Sequence, residues 1–289
     1  MLTLAQLRDR VRGVKRMARP ISVREVVANI QDLHADSRNA NALFQVASQF
    51  NLLEMVSPHV SPEHGVGIYE RDRTQGPACA IAAGAGTIFR NYFAMVNGRV
   101  GQSADNQIDC LSSVGSILGN TGQRLWRMVN GYAIPSTSGL QEVDQQLRLL
   151  DESGRDQLRQ ALKIGLQTGT QVTLPNACHV VSQAYCSALP VAYSTHAPEQ
   201  WANFAKLVLE ASYEATICAA IVNAGRTNNN TLFLTMLGGG AFGNELDWIT
   251  GSIRRALSLY KECGLDVAIV SYGRSQPFAQ EIASEFCGP

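Results

Sequence analysis

The part of the sequence that most constrains the fold is the segment 231–273, which contains the stretch "LTMLGGGAFGN". The continuous apolar run "TLFLTML" is typical of a strand that is covered on both faces. Gly264 ends the following helical pattern, and "LDVAIVSYG" predicts a last buried strand. The segment therefore predicts a strand, a glycine-rich loop, a helix and a second strand. The helix is indicated by apolar residues at helical spacing: Leu246, Ile249, Ile253, Leu257 and Tyr260.

The glycines follow the carboxyl end of a buried strand, and this position favours an anion site. Glycine reaches backbone conformations closed to other residues and lets main-chain N–H groups approach a ligand closely. The helix that begins just afterwards adds unpaired N–H donors and the positive end of its dipole. The loop is therefore predicted to bind a phosphate or a diphosphate, while a tight turn without a ligand remains the alternative. Neither common nucleotide fingerprint fits, because no Lys-Ser/Thr pair follows the glycines and the loop does not follow the first strand of the chain.

Helical and strand-like patterns alternate along the whole chain, which favours a layered α/β fold. Ser22 and Glu25 match a capping box and predict a helix through about residue 34, and "ALFQVASQF" is the first strand candidate. Pro198 is placed as the first residue of a later amphipathic helix. We expect an N-terminal helical extension over residues 1–40 and one domain over 41–289, with a polar and helical insertion at about 97–162.

Composition excludes several classes of function. The 24 Lys and Arg residues balance the 24 Asp and Glu residues, so the charge demands no nucleic acid partner. No apolar run approaches the roughly 18 residues that span a bilayer, and no signal core follows the basic N-terminus. Seven cysteines, an odd number in apolar contexts, indicate reduced core residues. The sequence therefore predicts an intracellular, cytoplasmic protein with no membrane partner.

Several stretches of this chain resemble the macrodomain superfamily, in particular its divergent branch related to poly(ADP-ribose) glycohydrolases. The resemblance is carried by "FQVASQFNLLEM", "YERDRTQGPACAIAAGAGTIFRNY", "CSALPVAYS" and "LGGGAFGN", which lie between about residues 44 and 250. It implies a three-layer α/β/α macrodomain-like fold with a mixed central sheet. It also implies ADP-ribose as the ligand, with no cofactor and no metal.

The resemblance implies a set of binding residues. Gln49 and Asn51 end the first predicted strand in the place of a ribose contact, and Tyr272, at the end of the last strand, is a candidate for stacking on adenine. Thr74, Gln75 and Gly76 occupy the place of the first ribose-binding loop. The diphosphate and distal ribose would be held by Gly238, Gly239, Gly240, Ala241, Phe242, Gly243 and Asn244.

The catalytic residues are harder to assign from the sequence. The Gln-Glu-Glu signature of the glycohydrolases is missing, since "TQGPACA" keeps only the glutamine. Cleavage at the ribose C1″ passes through an oxocarbenium-like state that needs a nearby carboxylate. The candidates are Asp72, Asp247, and Asp109 with its neighbour Asp105. Each has a structural alternative: an ion pair with the flanking arginines, a favourable charge in the first turn of a helix, and loop caps.

Three functions follow from these observations. The first is a hydrolase that removes ADP-ribose from an ADP-ribosylated protein; the resemblance implies arginine as the acceptor and ubiquitin as a candidate target. The second is an ADP-ribose reader without activity, which the missing glutamates permit. The third is a cysteine hydrolase that uses Cys79 near a helix start, with His179 or His196 as the base. The segment "CHVVSQAYC" matches no compact zinc site.

Overall fold

The chain is described by a computed structural model over residues 1–14 and 19–286. Its strands are β1 (Leu2–Thr3), β2 (Ser22–Val27), β3 (Leu43–Ala47), β4 (Met95–Val96), β5 (Arg99–Val100), β6 (Trp126–Val129), β7 (Tyr132–Pro135), β8 (Lys163–Gln171), β9 (Val180–Cys186), β10 (Thr231–Leu234) and β11 (Asp266–Ser271). Its α-helices are α1 (Leu4–Arg12), α2 (Ile30–Ala35), α3 (Gln75–Ala82), α4 (Gly84–Ile88), α5 (Ser112–Leu118), α6 (Thr137–Leu149), α7 (Glu152–Ala161), α8 (Pro198–Thr227), α9 (Leu246–Leu259) and α10 (Pro277–Glu285).

A mixed sheet of seven strands forms the centre of the fold, in the order β1-β8-β9-β3-β10-β11-β2. The five strands from β9 to β2 run parallel, whereas β8 is antiparallel to both of its neighbours. Helices cover both faces. Phe44 of β3 stacks on His34 of α2 with ring centroids 3.8 Å apart, while the next residue, Gln45, donates to Thr216 of α8. Because successive strand residues point to opposite faces, α2 and α8 lie on opposite sides of the sheet. The expected three-layer α/β/α fold with a mixed central sheet is confirmed.

The helix expected from Ser22 is wrong, because residues 22–27 form β2, parallel to β11. The two polar residues that suggest a capping box pair with neighbouring structure instead. Ser22 donates to Asp266 on β11, and Glu25 accepts from Ser271 and from the Gln276 main chain. The valines between them suit a strand. The helix of this region begins only at Ile30, and β1 and β2 precede the strand expected to be first.

The predicted domain boundaries correspond to recognisable segments. Residues 1–40 supply α1 and α2 but also two strands of the central sheet. The segment 97–162 contains α5, the β6–β7 hairpin, α6 and α7, and within the described chain it adds no strand to that sheet. The division into an extension, a domain and an insertion remains a prediction.

Helix α8 corrects the expectation about apolar runs. Among the described residues it is the one helix that is long and apolar enough to cross a membrane by length and composition, with a mean hydropathy of 1.3 over its most apolar window. However, 89% of that window is buried inside the fold. The helices α1, α6, α7 and α9 pack around it. Its apolar character therefore matches its position in the core of the helical layer.

The predicted strand, loop, helix and strand over 231–273 are confirmed as β10, the glycine loop (residues 238–244), α9 and β11. Strand β10 pairs in parallel with both β3 and β11. The carboxyl ends of these three strands therefore lie side by side at one edge of the sheet. In open α/β sheets this is the edge where ligands bind.

Candidate functional site

A cleft of two adjoining cavities opens at this edge of the sheet. The first cavity has a volume of about 740 Å³ and lies between the glycine loop and the chain that follows β3. The second has a volume of about 1030 Å³ and extends towards the ends of β2 and β11. Both are of the size that ligand pockets have in proteins. The residues that line both cavities are Asp72, Arg73, Thr74, Gln75, Thr235, Met236 and Gly240.

The glycine loop presents free main-chain donors to the first cavity. Four N–H groups have no hydrogen-bond acceptor in the described part of the chain, and their residues line this cavity: Gly238, Gly240, Ala241 and Phe242. The remaining three amides of the loop are used internally. Gly239 donates to Met236, Gly243 to Gly240, and Asn244 to Gly238. The predicted phosphate site therefore has fewer free amides than the full stretch 238–244 would supply.

Two glycines of the loop are required by its shape. Gly238 has a φ of +76°, and a Cβ there would lie 2.4 Å from the Cβ of Ala188. Gly243 has a φ of +67°, and a Cβ there would lie 2.8 Å from the Cβ of Ala192. A Cβ on Gly240 would meet nothing, so this glycine faces the open cavity. Asn244 fixes the end of the loop, because its side-chain Nδ2 donates to the Leu189 carbonyl at 2.8 Å.

The opposite wall, which we call the side-chain wall, comprises residues 48–76. At its end, Asp72 is half-buried and accepts the Thr74 N–H on its Oδ1 at 2.8 Å. The Gln75 side chain is bound to β3, since it accepts the Ala47 N–H and donates to the Gln45 carbonyl. A Cβ on Gly76 would lie 2.0 Å from the Ala47 carbonyl oxygen. Gln75 and Gly76 therefore hold α3 against the sheet; both also line the first cavity, and their contact with ribose stays a prediction.

The three predicted catalytic acids differ in their position relative to the cleft. Asp72 lines both cavities. Asp247 is exposed in the first turn of α9 and lines neither cavity, as the helix-dipole alternative predicts. Asp109 also lies outside the cleft, where its Oδ1 accepts the Leu111 N–H at 2.8 Å and burial raises its pKa. Its neighbour Asp105 is exposed and pairs with Arg99.

The polar side chains that follow β3 form hydrogen bonds with other residues of the chain more than they face the cavity. Gln49 lines the first cavity, but its amide is bound at both ends to the Met55 main chain, at 2.9 and 3.0 Å. Asn51 is fully buried and lines neither cavity; it donates to Gln107 and accepts from the Leu53 N–H. The predicted ribose contact of Asn51 is therefore not supported by its position.

Sequence reasoning missed Glu54 as an organising residue of this wall. Glu54 lines the first cavity, yet its side chain is completely buried and pairs with Arg90 at 3.0 and 3.1 Å. Burial raises its pKa to about 7, against the opposing attraction of Arg90 and a hydrogen bond from Tyr69. From the sequence alone, Glu54 could equally be an exposed residue on a helix, because its partner Arg90 lies 36 residues away.

Aromatic side chains mark both ends of the cleft. In the first cavity, Phe242 packs against Tyr132 and Tyr193, with ring centroids 5.2 and 5.7 Å away. In the second, Tyr272 is 75% exposed and stands at the end of β11, as expected. The second cavity also carries apolar residues, including Ile30, Ile249 and Phe278, beside polar and charged ones such as Gln31 and Glu70. The apolar side chains and the exposed ring of Tyr272 suit a flat heterocycle.

The structure contradicts a nucleophilic role for Cys79. The thiol is fully buried in α3, and desolvation raises its pKa well above the ordinary value. Neither His179 nor His196 lines the cleft, and His179 is bound to the His34 carbonyl. A reactive thiol needs a lowered pKa and access, and Cys79 has neither. In residues 1–14 and 19–286, no three His, Cys, Asp or Glu side chains are grouped to hold a metal ion.

Comparison with known proteins gives structural similarity only. No family model matches this chain, and no curated protein matches it. The fold is similar to poly(ADP-ribose) glycohydrolase from Deinococcus radiodurans in complex with ADP-ribose, with a TM-score of 0.49 and 10% identity over 98% of this chain and 92% of that chain. For the apo form of that enzyme the TM-score is 0.44 at 13% identity, over 99% and 91%. A further ADP-ribose complex has a TM-score of 0.43 at 13% identity, over 98% and 92%.

Proposed function

We propose that the cleft binds ADP-ribose and that the protein hydrolyses the bond between this ligand and a modified protein side chain. The observation that carries the proposal is the set of unpaired amides on Gly238, Gly240, Ala241 and Phe242, which face the first cavity opposite Asp72. Main-chain amides left free in a glycine-rich loop are a favourable site for phosphate. The diphosphate lies on these amides, and the two ends of the ligand occupy the two cavities.

The orientation of the ligand rests on the exposed ring of Tyr272. The second cavity, which Tyr272 lines beside Ile30 and Phe278, accepts the adenine. The distal ribose then enters the first cavity, where Asp72 stands at the wall. The carboxylate of Asp72 stabilises the positive charge that develops at C1″ or activates the attacking water. Asp72 is thus the candidate catalytic residue, while the amides hold the ligand.

The identity of the acceptor rests on resemblance. The motifs quoted from the sequence resemble those of the Legionella effector MavL, an ADP-ribosyl hydrolase that acts on ADP-ribosylated ubiquitin. On this basis the acceptor is arginine, the target is ubiquitin or another ADP-ribosylated protein, and the place of action is the cytoplasm or the cytosol of a host cell.

A reader of ADP-ribose is the second candidate, and one observation favours it. Glycoside hydrolysis commonly uses two carboxyl groups that flank the bond. In the first cavity the side chain of Glu54 is completely buried, which leaves Asp72 as the accessible carboxylate among the described residues that line it. A single accessible carboxylate is compatible with binding without turnover.

The test combines binding with turnover. Calorimetry measures ADP-ribose binding to the wild type and to Asp72→Asn, and chromatography measures ADP-ribose released from an arginine-ADP-ribosylated protein. We expect both proteins to bind, and Asp72→Asn to release ADP-ribose about 10²- to 10⁴-fold more slowly. The matched control is Asp247→Asn, which changes an acid outside the cleft and should keep full activity. Binding without release by the wild type supports the reader, whereas no binding overturns both functions.

A further inference from the structure

We infer that Arg71 and Arg73 bind the diphosphate of the ligand from the wall opposite the glycine loop. The two arginines flank Asp72, and both line the first cavity. This inference rests on the proposed function. According to this inference, charged side chains bind the diphosphate on one wall, and the neutral main-chain N–H groups of the glycine loop bind it on the other.

The first observation is that both guanidinium groups are available. Arg71 and Arg73 are exposed, and neither has a carboxylate partner or another hydrogen-bond acceptor in the part of the chain that the structure describes. Ion pairs hold most of the other arginines described, such as Arg124 with Glu142 and Arg254 with Glu285. The two unpaired arginines in this concave surface are therefore free to bind an anion from outside the chain.

The second observation is the position of Arg73. It lines the first and the second cavity, as Gly240 does on the facing loop. The junction between the two cavities is where a diphosphate must lie if its two ends occupy them. The planar fork of arginine matches phosphate oxygens and forms charge-assisted hydrogen bonds with them.

The third observation is the local balance of charge. The four free amides of the glycine loop offer donors but no net charge. The wall segment 70–73 carries two cations and two anions, Glu70 and Asp72, so without the arginines a diphosphate would meet only negative charge on this wall. Arg71 and Arg73 therefore offset the charge of the diphosphate and lower its repulsion with Asp72. They also hold the Asp72 segment at the ligand, so they act as binding and positioning residues.

The experiment compares Arg71→Gln, Arg73→Gln and the double variant with the wild type. The control is Arg127→Gln, which changes an exposed arginine on β6 that lines neither cavity. Calorimetry measures the Kd for ADP-ribose at low and at high ionic strength, and the Kd for adenosine, which has no phosphate. We expect each single variant to bind ADP-ribose about five- to tenfold more weakly, because a hydrogen bond to a charged group is lost at an exposed site.

Two readouts separate a charge contact from a general disturbance. The affinity of the wild type should fall with salt, and that of the double variant should fall less, because salt screens the interactions of exposed charges. Adenosine should bind equally to all five proteins, and Arg73→Lys should recover part of the affinity. If the wild type binds ADP-ribose but the double variant matches it in Kd and in salt dependence, the arginine inference is wrong and the proposed function stands. If the wild type binds no ADP-ribose, both fail together.

Discussion

The two walls of the cleft are built on different principles. The glycine loop contributes main-chain N–H groups that its own glycines leave free, although Asn244 is held by the Leu189 carbonyl and the glycines pack against Ala188 and Ala192. The side-chain wall contributes Asp72 and two arginines, and its shape depends on groups from distant parts of the chain. A wall of main-chain donors can therefore be inferred from a short motif, whereas a wall of side chains needs its tertiary partners to be known.

Glu54 and Arg90 connect the side-chain wall to the sheet. Arg90 donates to the Leu52 carbonyl at 2.8 Å and to Gln167 of β8 at 2.8 Å, and it lies 3.7 Å above the ring of Tyr185 on β9. Glu54 also donates its main-chain N–H to the Tyr69 hydroxyl. The carbonyl of Tyr69 in turn accepts the Asp72 N–H at 3.1 Å. The buried ion pair thus supports the segment that ends at the candidate catalytic residue.

The largest effect is expected from Glu54→Ala. The change leaves the Arg90 guanidinium buried without a carboxylate, and a broken buried ion pair typically costs about 3–5 kcal/mol of unfolding free energy. Urea unfolding measures this loss. The variant should also release ADP-ribose more slowly, because the Asp72 segment loses its support.

A surface pair provides the comparison for this variant. Glu142→Ala removes the carboxylate that Arg124 contacts, but that pair is exposed and its loss should leave unfolding unchanged. Glu54→Gln keeps the volume and part of the hydrogen bonding, so it should recover some of the stability. If Glu54→Ala unfolds at the same urea concentration as the wild type, the ion pair does not support the wall.

This contrast also explains what the sequence could predict. The segment 231–273 was predicted correctly, because an apolar strand, glycines and an amphipathic helix are local signals. Asp72 can be named as a candidate catalytic residue from the sequence because it stands beside a motif that resembles a ribose-binding loop. Glu54 could not be ranked, since its burial depends on Arg90, far along the chain. Ser22 and Glu25 have the spacing of a capping box, but in the structure their side chains bind residues of the neighbouring strand β11. The sequence does not distinguish these two cases, because it does not show which strand lies beside them.

The second prediction concerns the glycine loop. Gly238→Ala places a Cβ at a positive φ and within 2.4 Å of Ala188, so the loop must shift. Overpacking of this kind costs about 1 to 3 kcal/mol. Because the free amides move with the loop, ADP-ribose should bind at least about tenfold more weakly, which corresponds to the loss of one hydrogen bond to a charged group.

Gly240→Ala is the matched variant for the glycine loop. A Cβ at this position meets no protein atom, so thermal unfolding should match that of the wild type. The comparison of the two variants isolates the steric requirement at Gly238. Equal melting temperatures for both variants would show that the loop tolerates a side chain where the structure leaves no room.

The last prediction is a pH dependence that only the side-chain wall can have, because main-chain amides do not titrate in the accessible range. Burial raises the pKa of Glu54 from 4.5 to about 7, against the attraction of Arg90. Between these values the folded protein holds a proton that the unfolded chain has lost. The contribution of Glu54 to stability therefore falls as pH rises from about 4.5 to about 7, by at most about 1.4 kcal/mol per pH unit.

Glu54→Gln isolates this contribution, since it removes the titrating group and keeps its shape. The groups around Glu54 keep one protonation state over this range: Arg90 stays charged, and burial raises the pKa values of Tyr69, Cys79 and Tyr185. His34 contributes with the opposite sign, because burial lowers its pKa to about 4, and its share is common to both proteins. The unfolding free energy of the wild type minus that of the variant should therefore fall steadily with rising pH. A difference that stays constant from pH 4.5 to 7 would mean that Glu54 titrates at its ordinary pKa, and that the side-chain wall is no more sensitive to pH than the glycine loop.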